Sequence, residues 1–223
     1  MLIAFIVLTI LSLVASKSVE NKFKKYSKYT TTGGLTGREV AEQMLHDHDI
    51  LNVTVQEVNG TLTDHYNPTN RTLNLSHDVY YGTSVTAAAV AAHECGHAVQ
   101  HAREYMWLSL RSKLVPVVSF SNRWVSWVLL AGVLLVNRFP QLLLAGIVLF
   151  ALTTLFSVIT LPVEINASRR ALVWLNNHNI TQPDTHQYAE SALRSAAYTY
   201  VIAAITSLAT LAYYLLIYMG RRD

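Results

Sequence analysis

The residues with the clearest chemistry are His93, Glu94 and His97, which form the motif His-Glu-x-x-His. Residues four apart lie on one face of a helix, so the two histidines can bind one metal ion while Glu94 lies beside them. Catalytic zinc takes three protein ligands and a water, and that water needs a carboxylate to accept its proton. The motif therefore predicts one catalytic zinc ion, held by His93 and His97, with Glu94 as general base.

The motif itself does not supply a third ligand. The metzincin class is excluded because Gln100 and Arg103 stand where it requires glycine and histidine. His101 lies one turn beyond the motif, which is typical of a surface residue or a neighbour of the site. Cys95 points to the opposite side of the helix and is interpreted as a small buried residue.

Glu164 is the better candidate for the third ligand. It directly follows a long uncharged run, where a carboxylate is costly unless it is paired or binds a metal. The alternative is a helix N-terminal acid just after Pro162, favoured by the helix dipole.

The elements that must position these residues include long apolar runs. Hydrophobic residues make up 52% of the chain and charged residues 14%, and the mean hydropathy is +0.27. Runs of about 20 uncharged residues are typical of transmembrane helices, and we predict about four, at 1–16, 114–136, 142–163 and 198–219. The first is short and could instead belong to a secretory signal, but no Lys or Arg precedes it, which favours a retained anchor.

The predicted fold is a mainly α membrane protein with a small α+β, zincin-like portion. Thr36 and Glu39 form a capping box for a short helix. Alternating residues predict strands at 53–58, 61–66 and 71–76, and Asn59-Gly60 predicts a hairpin, so we expect a short antiparallel meander. A helix capped by Thr83 or Ser84 then carries the motif. This helix is too short and too polar to span a membrane, which places the site at the membrane surface.

These elements divide the chain into five segments. The order is an N-terminal anchor (1–16), the polar zincin-like segment with the motif (17–113), a transmembrane hairpin (114–163), a helix and loop with the third-ligand candidate (164–197) and a C-terminal transmembrane helix (198–219). The hairpin turns at residues 137–140.

Basic residues near the ends of the runs predict the orientation. Most of them flank the segments at 17–113 and 164–197, so the positive-inside rule places the catalytic side in the cytoplasm of a multi-pass protein of the cell membrane. Arg221, Arg222 and six Asn-x-Ser/Thr sequons favour the opposite orientation. The juxtamembrane bases indicate contact with a lipid bilayer. The sequence has no basic patch interleaved with aromatic residues, so it does not indicate binding of nucleic acid.

Further motifs extend the comparison beyond His-Glu-x-x-His. They are Asp64-His65-Tyr66, Leu73-x-Leu75-Ser76, Ala92 to Ala98, and Pro162-Val163-Glu164 followed by Ala167 to Ala171. With them the chain resembles, over nearly its whole length, the neutral zinc metallopeptidase family of YugP-like bacterial membrane proteins. It also resembles the heat-shock and prenyl-protein membrane zinc proteases. The resemblance implies a gluzincin-like site with Glu164 as the third ligand. Asn166 and Ser168 depart from the pattern, since related proteins often have acids at these positions.

The predicted function is zinc-dependent hydrolysis of peptide bonds in a peptide or protein substrate, including membrane proteins. Glu94 would take the proton of the zinc-activated water and deliver it to the leaving amine. The candidates for stabilising the oxyanion or supporting the ligands are His65, Ser168, Arg169, Arg194, Tyr198 and Tyr200. A substrate strand could pair with the edge of the meander.

Two alternatives stay open from the sequence. A site-2-type intramembrane protease would need an apolar helix around the motif and an aspartate ligand from a later span. A non-enzymatic, zinc-stabilised membrane scaffold would need no general base, and structural zinc usually takes four protein ligands. The sequence predicts neither the physiological substrate nor the oligomeric state.

Overall fold

The fold was obtained as a computed structural model, which describes residues 2–220, with side chains from residue 6 onward. Within that part of the chain there are seven α-helices and three β-strands. They are α1 (Leu2–Tyr26), α2 (Gly37–Asp47), β1 (Thr54–Val58), β2 (His65–Asn67), β3 (Thr72–Ser76), α3 (His77–Tyr80), α4 (Val85–Ala102), α5 (Met106–Leu134), α6 (Pro140–Asn177) and α7 (His186–Met219).

Both predicted helices of the polar segment are confirmed. The capping box of α2 is present, with the Thr36 side chain accepting from the Glu39 N–H and the Glu39 carboxylate accepting from the Thr36 N–H. Ser84 caps α4 by accepting from the Ala87 N–H. Most of α4 is buried in a hydrophobic core that it shares with α2, β3 and the C-terminal part of α6. The motif helix is thus a core helix of the polar segment.

The small sheet is mixed, so the predicted antiparallel meander is wrong. The strand order is β1-β3-β2, with β1 parallel to β3 and β2 antiparallel to it. Leu73 and Leu75 of β3 are fully buried, which favours the central position, where both edges of the strand are paired. Burial of β3 therefore outweighs the local turn preference of Asn59-Gly60, since strand preferences depend on packing. As a result, β2 lies at a sheet edge.

Three helices, α5, α6 and α7, are long and apolar enough to cross a membrane, judged by length and composition over the described residues. They contain most of the predicted runs at 114–136, 142–163 and 198–219, and α5 and α6 are joined by a short turn, as predicted. The chain is therefore a mainly α membrane protein. The predicted span at 1–16 begins in residues whose side chains lie outside the described part, and it stays a prediction. Arg221 and Arg222 also lie outside it.

The longest helix, α6, joins the apolar hairpin to the polar core. It has 38 residues and continues through Pro162, so the alternative that places Glu164 at a helix N-terminus is wrong. Its C-terminal part packs against α4, where a Cβ on Gly96 would lie 2.7 Å from the Ala167 carbonyl oxygen. The glycine of the motif thus allows the two helices to approach closely.

Candidate metal centre

The two histidines of the motif lie on one face of α4, as the four-residue spacing predicts. The ring centroids of His93 and His97 are 4.8 Å apart and their planes are nearly perpendicular. His97 is 9% exposed, and the side chain of His93 is 15% exposed. Two imidazoles are therefore held side by side in a largely buried part of the molecule.

The carboxylate of Glu164 reaches the same point from α6. Its Oε2 atom lies 3.4 Å from Nε2 of His93 and 3.7 Å from Nε2 of His97. Glu164 is 3% exposed, and within the described part of the chain its Oε2 has no hydrogen-bond partner. An ionised oxygen without a hydrogen bond in such a position is costly unless a cation is bound.

The outward-facing nitrogens of the two rings are held by hydrogen bonds. Nδ1 of His93 is 3.1 Å from the Ser168 hydroxyl, and Nδ1 of His97 is 3.1 Å from the Gln100 amide oxygen. Gln100 in turn donates to the Val163 carbonyl and to Oδ1 of Asn166. These bonds leave both Nε2 atoms directed at Glu164. Such partners fix the ring orientation of metal-binding histidines.

Glu94 lies beside the histidines without being part of this cluster. It is 8% exposed, and its Oε2 accepts a hydrogen bond of 3.0 Å from the Tyr66 backbone N–H on β2. The edge strand therefore orients the carboxylate that the motif predicts as general base. The sequence does not reveal this bond, since Tyr66 donates through its backbone.

Arg111 is a residue of the site that the sequence does not identify. It stands near the start of α5, and its guanidinium lies 3.4 Å from Oε1 of Glu164, whereas the two histidines contact Oε2. In the sequence, Arg111 contributes only to the count of juxtamembrane bases. The sequence feature that could have identified Arg111 as a partner of Glu164 is its position. Arg111 directly precedes an apolar run that forms a hairpin with the helix of Glu164.

Only some of the other candidate residues lie at the centre. Ser168 contacts His93, and His65 and Tyr200 line a cavity beside Glu94. Arg169, Arg194 and Tyr198 are exposed and line neither of the two cavities that adjoin Glu94 in the described residues. Arg194 lies over the Tyr198 ring instead, 6.0 Å from its centroid.

The neighbouring residues His101 and Cys95 lie outside the cluster, as predicted. Nδ1 of His101 is 2.9 Å from the Tyr66 hydroxyl. Cys95 is fully buried on the other side of α4, where burial raises the pKa of its thiol far above the ordinary value. The thiol therefore stays protonated and does not provide a thiolate ligand.

Two cavities adjoin the centre and share Asp64, His93, Glu94, Glu164 and Tyr200. The first, of about 360 Å³, lies between α1 and α7 and is called here the α1–α7 cavity. The second, of about 290 Å³, extends towards β2 and α5 and is called the α5 cavity; it is also lined by His65, Tyr66, Pro68, His97, Leu108, Arg111, Ser112 and Val115. Glu94 is therefore accessible from both cavities.

The cluster fits a zinc ion. One ligand atom each from His93, His97 and Glu164 lies within 4.8 Å of the others, and two histidines with a glutamate form a known donor set of catalytic zinc. Burial lowers the pKa of His97, but its contact with Glu164 and the charges of Glu94 and Glu164 outweigh this and raise the pKa overall. The carboxylates thus favour a positive charge where a metal ion would supply one.

Comparisons with known proteins identify the family of the chain. Residues 1–219 match the family described as "Putative neutral zinc metallopeptidase". The chain is 42% identical over 223 residues to the Bacillus subtilis (strain 168) protein named "Putative membrane protease YugP", with 98% of each chain covered. No solved structure matches the chain. The matched range includes α4 and α6, so both helices of the centre lie within it.

Proposed function

The chain belongs to the neutral zinc metallopeptidase family, and we propose that it is a membrane-bound zinc endopeptidase. It hydrolyses peptide bonds at the metal centre between α4 and α6. The observation that carries the proposal is the convergence of His93, His97 and Glu164, with Glu94 beside them. Three protein ligands rather than four are typical of catalytic zinc.

In this proposal the three clustered residues hold one zinc ion, and each helix of the centre has a defined part. When bound, zinc supplies Lewis-acid polarisation and lowers the pKa of water to about 7. The helix α4 contributes both histidines and α6 contributes the carboxylate, so the complete ligand set requires the membrane hairpin to pack against the polar core.

Glu94 acts as general base and then as general acid. Its carboxylate takes the proton of the attacking water and delivers it to the amine nitrogen that leaves. The Tyr66 N–H holds Oε2 of Glu94 in place, so the carboxylate is oriented before substrate binds. His65 and Tyr200 are the candidates for stabilising the oxyanion, since both line the α5 cavity with Glu94.

The substrate is a peptide or protein, including membrane proteins, bound in extended form. β2 is an edge strand next to α4, so a substrate chain can pair with its outer edge through backbone groups other than the Tyr66 N–H, which Glu94 binds. The site lies where α6 leaves the apolar hairpin, close to the lipid bilayer. By the positive-inside rule this side of the multi-pass protein is cytoplasmic. Nucleic acid is not among the proposed substrates or partners.

The two alternatives are less well supported. The motif helix α4 is not among the candidate membrane spans of the described residues, whereas a site-2-type protease needs an apolar helix around the motif. A non-enzymatic scaffold needs no general base beside the metal. It would therefore not explain why Glu94 lies beside the histidines with its carboxylate oriented by β2.

Removal of the metal tests the proposal directly. The purified protein is expected to contain about one zinc ion per chain and to cleave unfolded protein substrates. Dialysis against a chelator should abolish cleavage, and zinc should restore it. Magnesium, which prefers octahedral oxygen sites, should not restore it. Equal cleavage by the metal-free protein would contradict the proposal.

Arg111→Gln is expected to weaken zinc binding by about 10- to 100-fold, as is typical when a partner of a metal ligand is lost. The guanidinium holds Oε1 of Glu164 and thereby directs Oε2 at the histidines. Competition with a fluorescent chelator measures the affinity. Lys113→Gln is the matched control, because Lys113 is an exposed cation on the same helix. Equal zinc affinity in both variants would show that Arg111 does not orient Glu164.

A further inference from the structure

The α1–α7 cavity differs from the α5 cavity in the chemistry of its walls. Apolar side chains come from four elements around it: Val19 and Phe23 of α1, Leu62 of the loop before β2, Val90 of α4, and Leu193 and Ala197 of α7. No Lys or Arg lines it among the described residues, whereas Arg111 and His65 line the α5 cavity.

The acidic residues of the α1–α7 cavity already have partners. Glu20 pairs with Lys17 at 2.6 Å on the exposed side of α1. Asp64 accepts hydrogen bonds from the backbone N–H and the hydroxyl of Ser76, at 2.7 and 3.0 Å. Glu94 and Glu164 belong to the catalytic centre. The wall that stays available to a ligand beyond the centre is therefore mainly apolar.

The α1 wall is fixed in place against α7. The ring of Tyr26 stacks on that of Tyr188, with centroids 4.8 Å apart. Lys22 donates to the Ser191 carbonyl, and the Tyr26 hydroxyl lies 3.4 Å from the Ser191 hydroxyl. The cavity thus lies between two helices that are held together by specific contacts. Its volume of about 360 Å³ is within the range of ligand pockets.

We propose that the α1–α7 cavity binds a large aliphatic or aromatic side chain of the substrate next to the scissile bond, so that the N-terminal helix takes part in substrate selection. The inference rests on the proposed peptidase function. It follows from the apolar walls, the paired acids and the direct opening of the cavity onto Glu94. Burial of an apolar side chain there contributes to binding in proportion to the area removed from water.

Two substitutions that narrow the cavity test this inference, one on each helix. Ala197→Phe acts from α7 and Val19→Phe from α1. The controls make the same changes at exposed positions that line neither cavity of the site, Ala203→Phe on α7 and Val7→Phe on α1. The zinc-loaded full-length proteins digest a library of peptides, and mass spectrometry identifies the residues that flank each cleaved bond.

Wild type and both controls are expected to prefer a large apolar residue on one side of the bond. In Ala197→Phe and Val19→Phe, kcat/KM for the preferred peptide should fall at least about tenfold, while a matched peptide with alanine at that position is cleaved within about threefold of wild type. Cleavage by wild type without an apolar preference, or an unchanged preference in both narrowed variants, would overturn the inference.

A binding measurement separates this inference from the proposed function. Zinc-loaded Glu94→Gln protein is titrated with a peptide that contains a single phenylalanine and with its alanine counterpart, with and without Ala197→Phe. Tighter binding of the apolar peptide that is lost with Ala197→Phe supports the cavity even if wild type cleaves nothing, a result that would reject only the peptidase function. Equal binding of both peptides rejects the cavity as a side-chain site.

Discussion

Glu94→Gln is expected to keep its zinc and to lose about 10²- to 10⁴-fold in kcat/KM for peptide hydrolysis, the usual contribution of a general base. Glutamine has the size of glutamate, and its amide oxygen can still accept the Tyr66 N–H. It cannot take a proton from water. Glu94 also lies outside the set of three metal-binding side chains, so the zinc content should stay near that of wild type.

The measurements are zinc per chain and the initial rate of cleavage of one peptide by wild type, Glu94→Gln and Glu42→Gln. Glu42 is an exposed glutamate on α2 that pairs with Arg38, so its substitution is a matched control without contact with the centre. A Glu94→Gln protein as active as wild type would rule out Glu94 as the base. Full zinc binding with no hydrolysis in wild type would favour the scaffold alternative.

The sequence predicts best what depends on nearby residues. The capping box of Thr36 and Glu39, the N-cap Ser84 and the four-residue spacing of the histidines are all local patterns, and the structure has them. The topology of the sheet was predicted wrongly because Asn59-Gly60 is a local turn signal, whereas the pairing of β1 with β3 depends on burial of Leu73 and Leu75.

The site shows the same division between local and distant contacts. His93, His97 and Glu94 are predictable from one helix. Arg111 is not, because its partner Glu164 is 53 residues away and the pairing depends on how the α5–α6 hairpin packs. The link from Gln100 to Asn166 spans 66 residues and has no sequence signal of its own. The apolar runs predict membrane helices, but not that α6 continues into the polar core.

The continuity of α6 makes Glu164 the most informative position in the chain. Glu164→Ala is expected to reduce zinc from about one ion per chain to a small fraction and to abolish hydrolysis, because only two histidine ligands would then be left where catalytic zinc needs three protein ligands. Glu164→Gln keeps the shape of the side chain and removes its charge, and it should also bind zinc much more weakly than wild type.

The two variants are compared with Glu190→Ala, which removes an exposed glutamate from α7, and circular dichroism establishes that each protein is folded. Zinc loss in both Glu164 variants but not in Glu190→Ala identifies the third ligand. Normal zinc content in folded Glu164→Gln and Glu164→Ala would assign the ligand to another residue. Within the cluster, α6 supplies Glu164 and α4 supplies both histidines. Bound zinc should therefore link the two helices and stabilise the folded protein. We expect zinc to raise the Tm of wild type but not of Glu164→Gln.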